Sequence, residues 1–352
     1  MPNTTIEWTG DVMRFVFLGA GAIGSALGGL LAQRGSEVLL IARGDHARSV
    51  MANGVTVRCP DTRSTVHVPT VTGPDQVRLT DRDVLVLTTK THQAEAAVEQ
   101  WADVPVHDRD GTVLGSAAEL LPIFTALNGV ASEEIALRYF ERVFAVCVWF
   151  PTVMTEPGEV IVRTLPPRGI FHVGRYGVSS DPAADTKLVA SIGEEWAAAE
   201  FQVIRSEDVL RWKYRKLLAN VGNVLQALLG DTAGAEDLRR AAEDECREIF
   251  ASAGIAFAGD EESQAAWGAL SIEPVPGEPA QLGSSSWQSL VRGHSTIETS
   301  YLNGEIALIA RRIGRSAPLN AKLTALARRA AREGLRPGSL GVEDLRAHLG
   351  RV

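Results

Sequence analysis

The N-terminal part of the chain alternates short apolar runs with one glycine-rich turn. An apolar run at residues 14–18 leads directly into the turn at residues 19–24. A stretch rich in Ala, Leu and Gly follows to residue 34, and a second apolar run occupies residues 37–42. This order predicts a strand, a glycine turn, a helix and a second strand, which together form a parallel βαβ unit.

Further apolar runs continue this pattern. Residues 83–88 and 143–150 are predicted to be buried parallel strands, because both are apolar without alternation. Residues 123–127 form another predicted strand, which ends at the turn signal Asn128-Gly129.

The character of the chain changes near residue 207. Strand signals disappear, and patterns rich in Ala, Leu, Arg and Glu predict helices, interrupted by a Pro- and Gly-rich loop at residues 273–283. The chain has 352 residues, more than most single cores contain. We therefore predict an α/β Rossmann domain over residues 1–205, followed by an all-helical C-terminal domain over residues 206–352.

The glycine turn has the sequence pattern of a dinucleotide-binding site. Gly19 permits a tight turn, Gly21 lets the backbone approach a pyrophosphate, and Gly24 lets the helix pack closely on the strand. The N-terminus of the helix also attracts phosphate groups. A glycine-rich turn without a ligand is the alternative. The turn residues predicted to contact the cofactor are Gly19, Ala20, Gly21, Ala22, Ile23 and Gly24.

The residue that ends the second strand bears on the choice of cofactor. Proteins that bind NAD place an Asp or Glu there, which accepts a hydrogen bond from the ribose 2′-hydroxyl. This chain has Arg43 followed by Gly44. A guanidinium pairs well with a 2′-phosphate, so we predict NADPH as the cofactor. A solvated surface arginine is the alternative interpretation.

Residues 212–229 are predicted to form one helix with a narrow polar stripe. At about 100° per residue, with Lys216 at zero, Asn220 lies at about +40°, Asn223 at about −20° and Lys213 at about +60°. The remaining surface is apolar or small, which predicts a mostly buried helix. The stripe is either a polar substrate site, or lysines that reach the surface beside asparagines that bond to backbone.

A lysine in such a stripe suits the reduction of a carbonyl compound. Hydride delivery to C=O leaves an alkoxide that must be protonated. An ammonium group can stabilise that charge and donate the proton.

A serine-rich segment and one carboxylate follow the Pro- and Gly-rich loop. Ser285 and Gln288 have the spacing of a capping box, so Ser285 has either a structural role at a helix N-terminus or a role in a site. Glu298 is either a residue of a site or simply a solvated carboxylate on a helix.

Charge and cysteine usage exclude several classes of partner. The net charge is −8, which disfavours nucleic acid as a general partner. The cysteines, Cys59, Cys147 and Cys246, are far apart, so we expect buried inert thiols and neither a metal site nor a disulfide framework. The first twelve residues lack the pattern of a secretory signal, and no apolar run reaches the ~18 residues of a membrane span. We expect a cytoplasmic protein without a membrane partner.

From residue 13 to about residue 340 the chain resembles the ketopantoate reductases (2-dehydropantoate 2-reductases). The resemblance depends on four features in the same order along the chain. They are the glycine turn with Arg43, Lys90-x-x-Gln93 after the third strand, Asn128-Gly129 after the fourth, and Lys216-x-x-x-Asn220 followed by a serine-rich segment and Glu298-x-x-Tyr-Leu-Asn-Gly.

The resemblance implies a fold and a reaction. Such enzymes have an N-terminal Rossmann domain and a helical C-terminal domain, with the active site in the cleft between them. They reduce ketopantoate, a small 2-oxo acid, to pantoate with NADPH on the way to coenzyme A. A homodimer is compatible with this organisation.

The resemblance also implies roles for individual residues. By similarity Lys216 is the general acid, and Glu298 holds the substrate hydroxyl. Asn220 and Asn223 are expected to bind substrate. Asn128 lies beside both the nicotinamide and the substrate, and Lys90 contacts the cofactor. Either Ser285 or Ser286 binds the substrate carboxylate.

Three departures from the family pattern lie on the substrate side. Val224 stands where a second helix asparagine is expected, eight residues after Lys216, and Asn223 is one residue early. The spacing to Glu298 leaves Ser285 and Ser286 open, and residues 101–122 are longer than expected. A reductase of a different ketone in a specialised pathway, or a non-catalytic NADPH-binding sensor, are therefore the alternative functions.

Overall fold

The computed structural model describes residues 12–279, 283–293 and 295–350. We predict no secretory signal in the first twelve residues. Of these, only residue 12 is among the described residues. The described chain separates into two compact units. The first comprises residues 12–127, 131–209 and 261–279, and the second comprises residues 128–130, 210–260, 283–293 and 295–350.

The first unit is built around an eight-stranded sheet of described residues with strand order β15-β14-β11-β10-β7-β1-β2-β5. Smaller sheets have the orders β12-β13-β3-β4 and β6-β8-β9. The strands are β1 (Arg14–Leu18), β2 (Glu37–Ile41), β3 (Val55–Arg58), β4 (Arg63–Val66), β5 (Thr70–Val71), β6 (Leu79–Thr80), β7 (Asp83–Leu87), β8 (Pro105–His107), β9 (Val113–Ser116), β10 (Pro122–Thr125), β11 (Arg142–Trp149), β12 (Thr152–Glu156), β13 (Glu159–Val162), β14 (Gly169–Tyr176) and β15 (Phe201–Arg205).

The centre of the large sheet is parallel. Strand β1 pairs with both β2 and β7, and β10 pairs with both β7 and β11, all in parallel. Every residue of β1 and β7 is buried, which explains their unbroken apolar sequences. A buried ion pair fixes their register, since Arg14 donates to both carboxylate oxygens of Asp83 at 2.6 Å. The predicted α/β Rossmann domain is confirmed.

Helices cover this sheet and make up the second unit. In chain order they are α1 (Ala22–Gln33), α2 (Gly44–Asn53), α3 (Ala94–Ala102), α4 (Ala117–Leu120), α5 (Ser132–Leu137), α6 (Pro182–Ala198), α7 (Val209–Asn220), α8 (Asn223–Leu229), α9 (Glu236–Ser252), α10 (Asp260–Trp267), α11 (Ser285–Val291), α12 (Asn303–Arg312), α13 (Pro318–Arg332) and α14 (Val342–Leu349). Short 3₁₀ helices span Pro74–Gln76, Thr91–Gln93 and Glu298–Tyr301.

The described residues of the second unit contain helices and no strand, which confirms the predicted helical C-terminal domain. Apolar residues from α7, α8, α9, α12 and α13 form its core. No helix within the described ranges has both the length and the apolar character needed to cross a membrane.

The prediction of one helix over residues 212–229 is wrong. Helix α7 ends at Asn220 and α8 begins at Asn223. The carbonyl of Val221 accepts a hydrogen bond from Asn303 Nδ2 at 2.9 Å, while the Leu225 N–H donates instead to Gly222 O at 3.1 Å. A side chain 82 residues away thus takes the carbonyl that would have continued the helix.

The described part of the Pro- and Gly-rich segment that we predicted within the helical domain, residues 273–279, belongs to the first unit. The Leu165 N–H donates to Ser271 O at 3.2 Å, and a β-bridge joins Thr164 to Ile272. Arg58 of β3 donates to Glu278 Oε1 at 2.5 Å and to Glu159 Oε1 at 2.9 Å. These contacts hold residues 271–278 against the small sheet.

The long segment over residues 101–122 is regular structure. It supplies β8 and β9 of the three-stranded sheet, followed by the single turn of α4. Ser116 and Glu119 form a capping box at the start of α4, with the Ser116 N–H donating to Glu119 Oε2 at 2.8 Å.

Candidate active site

The glycine turn joins β1 to α1 and is fixed by close backbone packing. Gly19 has φ of +110°, and an added Cβ would lie 2.8 Å from Thr89 Cγ2 and 2.9 Å from Thr89 N. At Gly24 an added Cβ would lie 2.7 Å from Thr88 Oγ1, which donates to Gly19 O at 2.7 Å. Larger residues at either position would displace the end of β7.

Gly21 differs from the other two glycines because the space beside it is open. The protein atom nearest to an added Cβ there is Thr88 O, at 3.9 Å. Gly21 is the N-cap of α1, and the first backbone N–H groups of a helix have no partner within the helix. The turn therefore offers an uncovered backbone surface and a helix N-terminus, the two elements that a diphosphate requires.

Arg43 lies at the end of β2 and is exposed. It is the N-cap of α2, and its Nη2 donates to Gln100 Oε1 on α3 at 2.8 Å. The nearest following acid, Asp45, forms an ion pair with Arg48. Lys90, which begins the turn after β7, is half-buried, and its N–H donates to Gln93 Oε1 at 3.4 Å.

In the second unit, α7 carries Lys216 and Asn220 four residues apart, and thus on one face. Lys216 is half-buried, whereas Lys213 is only 2% exposed. Asn223, the first residue of α8, donates from Nδ2 to Asn220 Oδ1 at 3.2 Å. The break between the two helices thus leaves the two asparagines in contact, while Val224 is buried in the apolar core.

The segment with Asn128 packs on the 3₁₀ helix with Glu298. Gly129 has φ of +78°, and an added Cβ would lie 2.7 Å from the carbonyl oxygen of Tyr301. Glu298 is 6% exposed. The sequence indicated only a turn at Asn128-Gly129, whereas the structure shows that glycine is also needed for this close approach.

Of the two interpretations of Ser285, the capping role is wrong, because Ser284 is the N-cap of α11. Ser284 Oγ accepts a hydrogen bond from the Trp287 N–H at 3.3 Å, and the Ser284 N–H donates to Gln226 Oε1 at 2.7 Å. Ser284, not Ser285, has the extended backbone of a cap, with ψ of 166°.

Ser286 is the buried member of the serine pair. It is 2% exposed, and its Oγ has no hydrogen-bond partner among the described residues. Ser285 is half-buried. Thr299, beside Glu298, is fully buried with an equally unpartnered Oγ1 in the described chain, and no sequence pattern marked it. A buried hydroxyl without a partner is uncommon and calls for a water or a ligand.

All three cysteines are buried and free. Burial raises the pKa of the Cys59 thiol and of the Cys246 thiol, which disfavours the reactive thiolate.

Two family models match the chain, one over residues 15–177 and one over residues 208–331. They are described as ketopantoate reductase PanE/ApbA and its C-terminal domain. A 2-dehydropantoate 2-reductase of Pyrococcus horikoshii is 29% identical over 93% of this chain and all of that relative. The enzyme of the same name from Pyrococcus abyssi is 25% identical over 89% of this chain and 96% of its own length.

Solved structures share the fold. A PanE/ApbA family ketopantoate reductase from Ralstonia eutropha has a TM-score of 0.70 at 24% identity, over 92% of this chain and 99% of that one. D-mandelate dehydrogenase in a ternary complex with NADH and anilino(oxo)acetate has a TM-score of 0.73 at 20% identity, with the same coverage. With both family models matched in order, the chain belongs to the ketopantoate reductase family and is an oxidoreductase.

Proposed function

We propose that the protein reduces a small 2-oxo acid with NADPH, and that ketopantoate is the substrate, giving pantoate for coenzyme A synthesis. The observation that carries the proposal is the set of polar side chains buried or half-buried in the second unit. Lys216, Asn220 and Asn223 form one row, and Glu298 and Ser286 are buried. Asn220 and Asn223 bond to each other, whereas the buried Ser286 hydroxyl has no partner among the described residues, and a polar substrate can supply one.

The first unit supplies the elements for the cofactor. The open surface beside Gly21 and the N-terminus of α1 suit the pyrophosphate, and Arg43 suits a 2′-phosphate. Gln100 supports this assignment because its hydrogen bond orients the Arg43 guanidinium. When bound, a nicotinamide cofactor supplies the hydride. D-mandelate dehydrogenase, which shares the fold, has been solved with NADH, so the choice of NADPH depends on Arg43.

Lys216 supplies the proton in this proposal. Reduction of a ketone places negative charge on the carbonyl oxygen, which an ammonium group stabilises and then protonates. The side-chain amides of Asn220 and Asn223 orient the carbonyl oxygen of the ketone or the substrate atoms next to it. Asn223 reaches Asn220 from the start of α8, so it takes the role that the family pattern would give to the residue at Val224.

Ser286 is the better ligand for the substrate carboxylate. Its buried hydroxyl has a hydrogen to donate and no partner among the described residues, while Ser285 is half-buried. Glu298 is buried on the segment that contacts the Asn128-Gly129 turn, and it would accept a hydrogen bond from the hydroxyl of ketopantoate.

The experiment is NADPH oxidation with a panel of 2-oxo acids that includes ketopantoate, followed by absorbance. We expect ketopantoate to give the highest kcat/KM and Lys216→Ala to abolish most of the turnover. Turnover of another ketone in preference to ketopantoate would assign a different substrate. NADPH binding without turnover of any compound would make the protein a sensor.

A further inference from the structure

We propose that His46 and Ser25 are positioning residues for the dinucleotide, acting through the carbonyl of Ala20 in the glycine turn. The proposal depends on the proposed binding of a dinucleotide at this turn. All its residues lie in the first unit. Neither His46 nor Ser25 is part of the glycine pattern, and neither is expected to touch the cofactor.

Three hydrogen bonds connect a distant turn to the glycine turn. The Gly158 N–H, between β12 and β13, donates to His46 Nδ1 at 3.0 Å. His46 Nε2 lies 2.9 Å from Ser25 Oγ, which itself lies 2.9 Å from Ala20 O. Ser25 is fully buried in the first turn of α1, so its bond to Ala20 O is shielded from water, while His46 is half-buried.

The chemistry of the donors fixes the position of every proton. A backbone N–H can only donate, so His46 Nδ1 must be the unprotonated nitrogen. The ring hydrogen is then on Nε2 and is donated to Ser25 Oγ. The Ser25 hydroxyl hydrogen remains for the Ala20 carbonyl. Burial lowers the pKa of His46, which favours the neutral ring that this arrangement requires.

The consequence is that the residue before Gly21 is held from both sides. The Ala20 N–H donates to Ile41 O at the end of β2 at 2.8 Å, and the Ala20 carbonyl accepts the Ser25 hydroxyl. The peptide that leads into α1 therefore cannot rotate freely. Backbone N–H groups that are already aligned bind an anion without the cost of ordering them.

Ser49 provides a matched control on the same helix. Its Oγ donates to Pro157 O at 2.8 Å, so it connects α2 to the same turn as His46 does. The connection from Gly158 through His46 and Ser25 to Ala20 does not pass through Ser49. Loss of Ser49 therefore tests the attachment of α2 to this turn, and loss of His46 or Ser25 tests the connection to the glycine turn.

The test is the dissociation constant of NADPH and of NADH, measured by fluorescence titration of the full chain. The variants are His46→Asn, His46→Gln, Ser25→Ala and Ser49→Ala, each with its thermal unfolding midpoint. Asn can accept from the Gly158 N–H but cannot reach Ser25, whereas the amide of Gln can place a donor near the position of Nε2.

For His46→Asn and Ser25→Ala we expect both dissociation constants to rise roughly five- to ten-fold, as for the loss of one or more buried hydrogen bonds. We expect His46→Gln and Ser49→Ala to stay within about two-fold of wild type. At saturating cofactor kcat should not change, because the reacting groups are not affected.

Equal affinity for wild type, His46→Asn and Ser25→Ala would overturn the positioning role while leaving the proposed function intact. A lower unfolding midpoint with unchanged affinity would overturn it as well, since the bonds would then serve stability alone. A loss of affinity in Ser49→Ala as large as in His46→Asn would assign the effect to the attachment of α2. If wild type binds neither cofactor, the proposed function itself is wrong.

Discussion

The glycine turn of the first unit and the Lys-Asn row of the second unit were equally visible in the sequence, but they differ in how they depend on the rest of the chain. At the turn, Gly19 has the positive φ, Gly24 the close contact and Gly21 the open space that the pattern requires. At the row, the predicted residues are present but the single helix is not, because Asn303 ends α7 through the carbonyl of Val221.

The difference shows which sequence patterns are sufficient to predict a local structure. Part of the requirement at the glycine turn is local, since Gly19 has φ of +110° and Gly19 O is the atom nearest to an added Cβ on Gly24, so the pattern itself predicts glycine there. Angles on a helix hold only while the helix is continuous, and continuity depends on distant partners. Asn220 and Asn223 are in contact across a break that contains Gly222, a residue of low helix propensity whose signal the periodicity of the helix outweighed in the sequence analysis.

The largest expected effect tests which lysine of the row acts as the acid. We expect Lys216→Ala to lower kcat by ~10²–10⁴-fold, the range for loss of a general acid. The measurement is steady-state kinetics with saturating NADPH and ketopantoate. The circular dichroism spectrum should remain that of wild type, since Lys216 is half-buried.

Lys213→Ala is the matched control, from one turn earlier on α7. Because Lys213 is almost fully buried, we expect its loss to lower the unfolding midpoint more than kcat. A larger kcat defect in Lys213→Ala than in Lys216→Ala would transfer the acid role to Lys213.

The second prediction concerns Glu298 and the substrate class. We expect Glu298→Ala to lower kcat/KM for ketopantoate by roughly 10–100-fold, since a hydrogen bond to a buried charge is lost. A 2-oxo acid without the hydroxyl should lose much less. The measurement is kcat/KM for both compounds with both proteins, taken as a double difference in free energy. Equal losses would make Glu298 a structural or general catalytic group.

The third prediction returns to the first unit. Arg43→Ala should weaken NADPH binding by about ten-fold or more and leave NADH nearly unchanged, because only NADPH carries the 2′-phosphate. Titration of both cofactors measures this. Gln100→Ala should have a smaller effect in the same direction, as it removes only the partner of Arg43. A wild-type preference for NADH would contradict the assignment.

The smallest expected effect separates the two serines. Ser286→Ala should raise KM for the 2-oxo acid roughly five-fold, as expected for one hydrogen bond. Ser285→Ala should change it by less than about two-fold, because that side chain is half-buried and is not the cap. Steady-state kinetics at saturating NADPH would compare them, and the opposite order would assign the carboxylate to Ser285.

The sequence by itself determined the fold class and the glycine turn in which we predict cofactor binding. The βαβ unit, the glycine turn and Arg43 lie within about 30 consecutive residues, as one such unit does. The apolar runs of β1, β2 and β7 predicted buried strands, and the structure pairs β1 in parallel with both of the others. The order of motifs along the chain was also sufficient to indicate the family.

Only the tertiary structure decided how the polar side chains of the second unit are arranged. One long-range hydrogen bond, from Asn303 Nδ2 to Val221 O, ended α7 at Asn220. The approach of Tyr301 to Gly129 placed the Asn128 segment against the one with Glu298. The serine that caps α11 depended on Gln226, which accepts the Ser284 N–H from 58 residues away. Contacts between residues so far apart in the chain leave no periodic pattern in the sequence. Each contact depends on two single residues, and the residues next to them in the chain can be of any type.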